Sequence, residues 1–306
     1  MAASPGAPSN KEFQFRRLQK PEEFRAVEEV DREAGGPSGE PPVPRTVQRA
    51  VQDNGGLVVG AFAEIYLAGF ALGFLGWDGE KLYLYSQRTA VRPEYQNHRL
   101  GFRLKTHQRD ELLRQGLDEI RWTFDPLQSR TAFLHVHRLG AVPDKYLVHY
   151  YGRLGAEGAE EIETDRLRAV WKLQDPTVVA RLEAKAPDRA ADERRFAEST
   201  PLLETDLDDH GLRVPTSVQE PSLPSASLEI PFDIGLVREH SPANLRTWRH
   251  AVRDAFRAAF DLGYSVDDFA VVAPDHERRS VYFLRRNPSA PPAGRPRGPT
   301  GLTSGP

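Results

Sequence analysis

The stretch "RTAVRPEYQNHRLGFRLKTHQRDELLRQG", residues 88–116, decides how this chain folds. It begins with residues typical of a strand, turns through the polar segment "PEYQNHRLG", and continues with leucines at helical spacing. The start of a helix offers unpaired backbone N–H groups and the positive end of the helix dipole. A polar turn that leads into a helix therefore predicts an anion-binding site. A turn that only reverses the chain is the alternative.

The composition is that of an ordinary globular protein, since 39% of the 306 residues are hydrophobic and 28% are charged. The net charge of −3 argues against nucleic acid as a partner. The chain has no cysteine, which excludes disulfides, thiolate metal sites and a cysteine nucleophile. The nine histidines are scattered and show no metal-ligand spacing, so we expect no metal.

The longest apolar stretch, residues 57–77, is interrupted by Glu64 and four glycines. Its short alternating runs indicate strands of a hairpin and not a membrane span. The N-terminal "MAASPGAPSNKEFQ" has no apolar core of the kind that a signal peptide needs. We therefore expect a soluble, cytoplasmic protein without a membrane partner.

The sequence predicts two tails rich in Pro, Gly and Ser, at residues 1–10 and 287–306, that remain disordered. Between them we expect a main domain over 11–174, a connecting segment over 175–226 and a smaller block over 227–286. Hairpin strands come first in the main domain and strand–helix–strand units later, which favours an α+β fold. Its central sheet should be mixed, mostly antiparallel and flanked by helices.

The smaller block has a β-α-β-β pattern, in which "LEIPFDIGLV" is the first strand and residues 241–262 are the helix. One stripe of this helix is apolar and consists of Leu245, Trp248, Val252, Phe256 and Phe260. We expect the stripe to cover the main domain or a second copy of the chain, as in a homodimer.

The order of elements over residues 12–152 resembles the GNAT superfamily of acyl-CoA N-acyltransferases. The phosphate-binding signature of that family is Gln or Arg, two residues, Gly, one residue, then Gly or Ala. Gln96 and Gly101 match this signature, whereas Arg99 stands where the first glycine is usual. The resemblance implies that the turn and the preceding strand hold acyl-CoA through Thr89, Ala90, Val91, Gln96, Asn97, His98, Arg99, Leu100, Gly101 and Phe102.

The segments "IRWTFDPLQSRTAFLHVHRLGA", "YLVHYYG" and "EIPFDIGLV" resemble a subfamily of predicted acetyltransferases within this superfamily. Some members of that subfamily N-succinylate amino acids. The resemblance implies acetyl-CoA or succinyl-CoA as co-substrate and a small amine, such as an amino acid, as acceptor.

The segment "EIRWTFDP" alternates, so that Arg121, Thr123 and Asp125 share one face. Asp125 lies at the end of this strand, where ligand clefts commonly form. We interpret it as a catalytic carboxylate that holds or deprotonates the amine. The alternative is a helix N-cap.

In the GNAT family a tyrosine often protonates the departing thiolate, and the matching position here is Val136. His135 is our first candidate for this role and His137 the second, with a surface histidine as the alternative. His149, Tyr150 and Tyr151 are reserve candidates, and Tyr150 is also predicted to contact the substrate. Ordinary strand packing is the alternative for these three.

Arg130 is predicted to clamp a carboxylate of the acceptor or of a succinyl group, and Arg88 is a weaker candidate. A solvated helix face is the alternative. Two functions follow. The first is an acyl-CoA-dependent N-acyltransferase. The second, motivated by Val136 and Arg99, is an acyl-CoA-binding or sensing protein with weak catalysis.

Overall fold

The structure, a computed structural model, describes residues 13–35, 41–154, 162–184, 187–222 and 224–286. The predicted tails, 1–10 and 287–306, lie outside the described residues. No helix in the described ranges is both long enough and apolar enough to cross a membrane.

The strands, in chain order, are β1 (Phe13–Arg17), β2 (Leu57–Ala63), β3 (Tyr66–Trp77), β4 (Leu82–Val91), β5 (Glu119–Phe124), β6 (Val142–Leu147), β7 (Arg153–Leu154), β8 (Ile162–Glu163), β9 (Arg166–Lys172), β10 (Thr200–Pro201), β11 (Leu203–Leu207), β12 (Arg213–Val218), β13 (Ser225–Ile230), β14 (Tyr264–Val272) and β15 (Arg279–Arg286). The helices are α1 (Pro21–Glu33), α2 (Arg45–Asp53), α3 (Leu100–Arg114), α4 (Ser129–Ala132), α5 (Pro176–Glu183), α6 (Arg189–Glu198), α7 (Ile234–His240) and α8 (Pro242–Asp261).

The chain forms two compact units, and the segments of the two units alternate along the sequence. The first consists of Met1–Asp125, His137–Ala141 and Leu147–Lys185, and the second of Pro126–Val136, Val142–Tyr146 and Ala186–Pro306. The first unit resembles the predicted main domain in extent, but the two short internal segments belong with the C-terminal part. Contacts with residues far away in the sequence hold these segments there. For example, the Tyr282 hydroxyl donates to the Pro126 carbonyl at 2.9 Å, and the Ser129 and Ser280 hydroxyls lie 2.7 Å apart.

In the first unit, β1, β2, β3, β4, β5 and β9 lie side by side in that order. All neighbouring pairs are antiparallel except β4 and β5, which are parallel. Helices flank this sheet, so the predicted α+β class with a mixed, mostly antiparallel sheet is confirmed.

Helices α1 and α3 pack on opposite faces of the sheet. Phe70 of β3 lies in a buried cluster with Phe24, Val27 and Val30 of α1. Its neighbour Gly69 faces α3, because a Cβ added there would lie 3.3 Å from a methyl of Leu104. Since successive strand residues point to opposite sides, the two helices enclose the sheet between them.

Strands β4 and β5 separate after a short stretch of pairing. They pair only at Leu84↔Ile120 and Tyr85↔Arg121, although β4 continues to Val91 and β5 to Phe124. A bulge at Gln87 occurs at the same place, because Gly73 of β3 pairs with Ser86 and Leu72 with Arg88. We call the separated segments, Ser86–Val91 and Trp122–Phe124, the β4–β5 divergence.

The second unit contains a sheet with the strand order β10, β13, β15, β14 and a separate pair, β11 and β12. The predicted β-α-β-β order is present and its helix is α8, but a further short helix, α7, precedes α8. The predicted connecting segment, 175–226, is also more structured than expected, since it contains α5, α6 and three strands.

Three of the sequence predictions about elements need correction. Residues 228–237 are not one strand, because β13 ends at Ile230 and Asp233 caps the start of α7. The helix expected at Arg130 begins as α4 but continues as a π-helical turn over Phe133–Arg138. The strand expected to carry His149, Tyr150 and Tyr151 ends before them, because β6 ends at Leu147.

The apolar stripe of α8 packs on strands of its own unit, chiefly β12 and β14. Trp248 is fully buried, and its indole N–H donates to the Arg213 carbonyl at 2.9 Å. Phe256 of the stripe also packs on Tyr146, a residue of the predicted main domain, with 5.7 Å between the ring centres. Contact with a second copy of the chain stays a prediction.

Candidate functional site

The turn between β4 and α3 is built from unusual backbone conformations. After Val91 the chain makes a short 3₁₀ turn over Pro93–Tyr95, and α3 begins at Leu100. Asn97 and Arg99 both adopt left-handed backbone conformations, with φ of 67° and 57°. Asparagine tolerates this region, whereas arginine does so at a cost of ~1–2 kcal/mol. Backbone strain of this kind is common where a segment is shaped for a ligand.

The backbone N–H groups at the start of α3 are available to a ligand. Within the described part of the chain, none of the N–H groups from Asn97 to Phe102 donates a hydrogen bond to another residue. Arg99 occupies the N-cap position without a side-chain cap, and the first turn carries no acidic residue. The helix start therefore presents donors and the positive end of the dipole with no internal acceptor.

Two guanidinium groups add positive charge at the same place. The Arg99 guanidinium lies 5.6 Å from the centre of the Phe102 ring, and that of Arg138 lies 5.2 Å from it. Burial, and then the charge of Arg99, lower the pKa of Arg138 below its usual value. Arg138 donates to the Ala184 carbonyl at 3.3 Å, and no described carboxylate pairs with either arginine.

Arg138 was not identified from the sequence. It follows two histidines in "HVHRLGA" and is one of many arginines in the chain. Only the π-helical turn that places it over Phe102 distinguishes it from the others, and no pattern in the sequence predicted that turn.

The predicted cofactor-binding residues contribute in different ways. Thr89 faces α3, and its hydroxyl oxygen is buried with no hydrogen-bond partner among the described residues. Ala90 faces the other side and packs on the α1 core. Val91 ends β4, and its carbonyl accepts a hydrogen bond from the Gln96 amide at 3.2 Å.

The side chains of the turn itself are mostly structural. The Gln96 amide closes the turn on Val91, the His98 ring nitrogen lies 3.0 Å from the Gln96 carbonyl, and Leu100 is buried. What the segment from Gln96 to Phe102 offers to an anion is therefore its backbone N–H groups together with Arg99. Gly101 lies in the first turn of α3 without a side chain.

A chain of hydroxyl groups crosses the face of the sheet opposite α3. The Thr123 hydroxyl lies 3.3 Å from that of Tyr85 and 3.1 Å from that of Tyr151. Burial raises the pKa of Tyr85 above its ordinary value. Tyr150 packs its ring against that of Tyr151 at 4.7 Å and is 44% exposed. The hydroxyl of Tyr151, a reserve candidate, thus takes part in a hydrogen bond on this face. Strand packing, the alternative for this residue, does not account for that contact.

Asp125 is half-buried at the end of β5 in the first unit. It is not the N-cap of α4, because that position is Gln128, so this alternative is wrong. His135 is half-buried in the π-helical turn of the second unit, next to the buried Val136. The joint role of Asp125 and His135 stays a prediction. Arg130 is exposed and has no described ion-pair partner.

Two other candidates have structural partners. Arg88 donates to the Asp31 carboxylate at 2.8 Å, and both side chains are nearly buried, so Arg88 ties β4 to α1 and is not a substrate clamp. His149 lies with Glu163 and Asp165 in a cluster whose ligand-type atoms are within 4.8 Å of one another. The His149 backbone N–H donates to Asp165 at 3.1 Å, which accounts for their approach without a metal.

Residues 22–141 match the acetyltransferase (GNAT) family. No curated protein matches the chain. Similar solved structures include the ribosomal-protein-S18-alanine N-acetyltransferase of Escherichia coli, which is 17% identical, covers 57% of this chain and 97% of its own, and has a TM-score of 0.43.

An N-acetyltransferase of Staphylococcus aureus Mu50 is 14% identical, covers 53% of this chain and 99% of its own, and has a TM-score of 0.44. NAA60 of Arabidopsis thaliana, solved with acetyl-CoA, is 13% identical, covers 52% of this chain and 99% of its own, and has a TM-score of 0.42. The segment that contains both the β4–α3 turn and the β4–β5 divergence is thus the segment that matches the acetyltransferase (GNAT) family.

Proposed function

We propose that this protein is an acyl-CoA-dependent N-acyltransferase that acts on a small amine, such as an amino acid. The observation that carries the proposal is the start of α3. Backbone N–H groups from Asn97 to Phe102 have no described acceptor, and Arg99 and Arg138 bring two cations beside them. A diphosphate group is the ligand that such an arrangement suits, since several charge-assisted hydrogen bonds can form at once.

The rest of the CoA molecule follows β4 away from this turn. From Val91 back to Ser86 the strand has six residues, and the five steps between them correspond to about 17 Å at the usual rise per residue. The pantetheine arm is extended and contains two amides, so it can form hydrogen bonds along the part of β4 that β5 has left. Thr89, with its unpartnered buried hydroxyl, offers a further contact on the α3 side.

The reaction that we assign is direct attack of an amine on the thioester carbonyl. A C–N bond forms, the C–S bond breaks, the amine loses a proton and the CoA thiolate takes one up. We assign Asp125 to hold the amine and accept its proton, and His135 to supply the proton to the thiolate, with Tyr151 as the alternative donor. Arg130 and Tyr150 bind the acceptor, and acetyl-CoA or succinyl-CoA supplies the acyl group.

The second candidate function is an acyl-CoA-binding or sensing protein. Val136 favours it, because this position is often a proton-donating tyrosine in the GNAT family and here it is a buried valine. Under this hypothesis CoA binds at the same turn, but no acyl group is transferred.

The experiment that separates these functions measures both binding and turnover. Calorimetry with CoA tests the site, and release of free thiol from acetyl-CoA and succinyl-CoA, with a panel of amines and amino acids, tests transfer. Thiol release that depends on an amine supports the transferase. Binding without release supports the sensing protein, and the absence of CoA binding contradicts both.

The catalytic assignments predict the effects of Asp125→Asn and His135→Ala. Loss of a positioned acid or base lowers the rate by ~10²–10⁴. We expect Asp125→Asn to lower kcat/KM for the amine without changing acyl-CoA affinity, and His135→Ala to lower kcat and flatten its pH profile near neutrality. His137→Ala tests the second candidate for this role and should have the smaller effect. If His135→Ala keeps both the rate and the profile of the wild type, the proton leaves by Tyr151 or by water.

A further inference from the structure

Lys105 is a buried amine in the first unit that the proposed reaction does not use. It lies in the second turn of α3 and is only 3% exposed. Lysine is among the residues least often fully buried, because its ammonium group is strongly hydrated in water. A buried lysine without a carboxylate partner therefore calls for an explanation.

The position of the Lys105 amine is defined by two contacts. Its Nζ donates to the Ser86 hydroxyl at 2.6 Å and lies 4.3 Å from the Trp122 ring. Ser86 and Trp122 are the first residues of β4 and β5 after the last paired row, Tyr85↔Arg121. The amine thus lies at the narrow end of the β4–β5 divergence, on the side of α3.

The surroundings of the amine favour its neutral form. Burial lowers the pKa of Lys105 to about 7. No charged group among the described residues pairs with the amine. Its neighbours are the Ser86 hydroxyl from β4 and the Trp122 indole from β5, and Ser86 in turn donates to the Gln108 amide of α3 at 2.9 Å. None of these neighbours titrates near neutrality. Near neutral pH the Lys105 amine is therefore far more often unprotonated than an exposed lysine, which is almost entirely protonated.

We propose that Lys105 is a self-acylation site that takes an acyl group from acyl-CoA bound in the same molecule. This inference rests on the proposed function, because it requires the thioester to lie in the β4–β5 divergence. An arm that starts at the α3 turn and follows β4 reaches Ser86, and the Lys105 amine is in direct contact with that residue. Proximity of this kind replaces a bimolecular encounter by an intramolecular one.

The chemistry needs no further reactant. The unprotonated Nζ attacks the thioester carbonyl, a C–N bond forms, and the C–S bond breaks. CoA leaves as a thiolate and takes up the proton that the nitrogen releases. The product is a neutral amide, which removes the cost of a buried charge but also removes the cation from the Trp122 ring.

The test uses the full chain and acetyl-CoA without any acceptor amine. We expect intact-mass measurements to show addition of one acetyl group, and peptide mapping to place it on Lys105. The rate should rise from about pH 6 to about pH 8 and then level off, as the amine loses its proton. Lys105→Arg should abolish this modification, whereas Lys172→Arg, at the exposed end of β9, should leave it unchanged.

Calorimetry that measures acetyl-CoA binding in parallel separates the self-acylation proposal from the proposed function. Binding without acetylation of Lys105 overturns the self-acylation proposal alone. Equal labelling of Lys105 and exposed lysines overturns it as well, since it indicates unassisted reaction in solution. Absence of acetyl-CoA binding overturns the proposed function together with it. Lys105→Met, which places an apolar side chain at this buried position, is a second variant and should also remain unlabelled. Thermal unfolding and acetyl-CoA affinity close to those of the wild type show that the two Lys105 variants are folded.

Discussion

Helices α3 and α5 belong to the same unit and begin in opposite ways. The Asp175 carboxylate accepts a hydrogen bond from the Thr177 N–H at 2.8 Å, and Pro176 removes a further N–H from the start of α5. At the start of α3, Arg99 takes the place of such a carboxylate and no side chain caps the helix. The start of α5 thus pairs one of its N–H donors with a side chain, whereas the start of α3 has no such side-chain acceptor.

The start of α3 is less stable than a capped helix start. An N-cap side chain contributes ~1 kcal/mol to stability, and a left-handed arginine costs ~1–2 kcal/mol. The α3 turn lacks the first and includes the second. Both features agree with the proposal that an anion binds at the start of α3.

The largest effect should come from Arg99→Asp, which gives α3 the kind of cap that α5 has. The aspartate removes one cation, accepts hydrogen bonds from the helix start and repels phosphate, so we expect CoA affinity to fall by ~10²-fold or more. The melting temperature should stay the same or rise. Calorimetry and thermal unfolding measure the two quantities.

Arg99→Asn is the matched control for this change. It removes the charge without adding a carboxylate and suits the left-handed backbone. It should weaken CoA binding less than Arg99→Asp does. Equal affinity of Arg99→Asp and wild type would show that the helix start does not hold the anion.

A smaller effect is expected from Gly101→Val, which leaves all charges in place. A β-branched side chain in the first turn of α3 crowds the ligand, and steric penalties of this kind amount to ~1–3 kcal/mol. Affinity for CoA should fall ~10-fold, by calorimetry on a folded variant. Thr106→Val, a β-branched substitution further along α3, should bind CoA as the wild type does. Unchanged affinity in folded Gly101→Val would contradict the phosphate assignment.

The smallest effect should come from Asp175→Ala at α5, which changes stability and not CoA binding. Loss of this cap should lower the free energy of unfolding by ~1 kcal/mol. Affinity for CoA should not change. Denaturant unfolding and calorimetry check both statements, with Asp53→Ala, which lacks a capping role, as the control. A large loss of CoA affinity in Asp175→Ala would show that the two helix starts are coupled and that the contrast between them is too simple.

Much of the first unit could be predicted from local sequence patterns. The alternation in residues 57–91 predicted the hairpin strands, and the segment 88–116 predicted the strand, turn and helix in their correct order. These predictions depend on neighbours in the sequence, for which periodicity and turn residues are sufficient. The anion site stays a prediction, which rests on the same turn because a helix start offers unpaired N–H groups in any fold.

The rest depends on contacts between distant segments. Nothing local distinguishes Arg138 from other arginines or Lys105 from other helical lysines, and each gains its character from Phe102, Ser86 or Trp122. Arg88 is a weaker candidate for a substrate clamp when only the sequence is considered. Its partner, Asp31, lies 57 residues away in the sequence, so no local pattern reveals the pair. Residues 126–136 and 142–146 likewise belong to the second unit because of contacts with Tyr282, Ser280 and Phe256.

The β4–β5 divergence has a consequence for how this sheet meets other molecules. Strands at the outer edge of a sheet are open to pairing with any extended chain, and this is a common route to aggregation. Here the separation lies between two interior strands, with β3 on one side and β9 on the other. A strand from another protein would have to insert between them, whereas at an outer edge it would only have to add. A thin, flexible molecule with amide groups meets no such obstacle, so the fold exposes strand backbone to a small ligand while it protects the same backbone from other proteins.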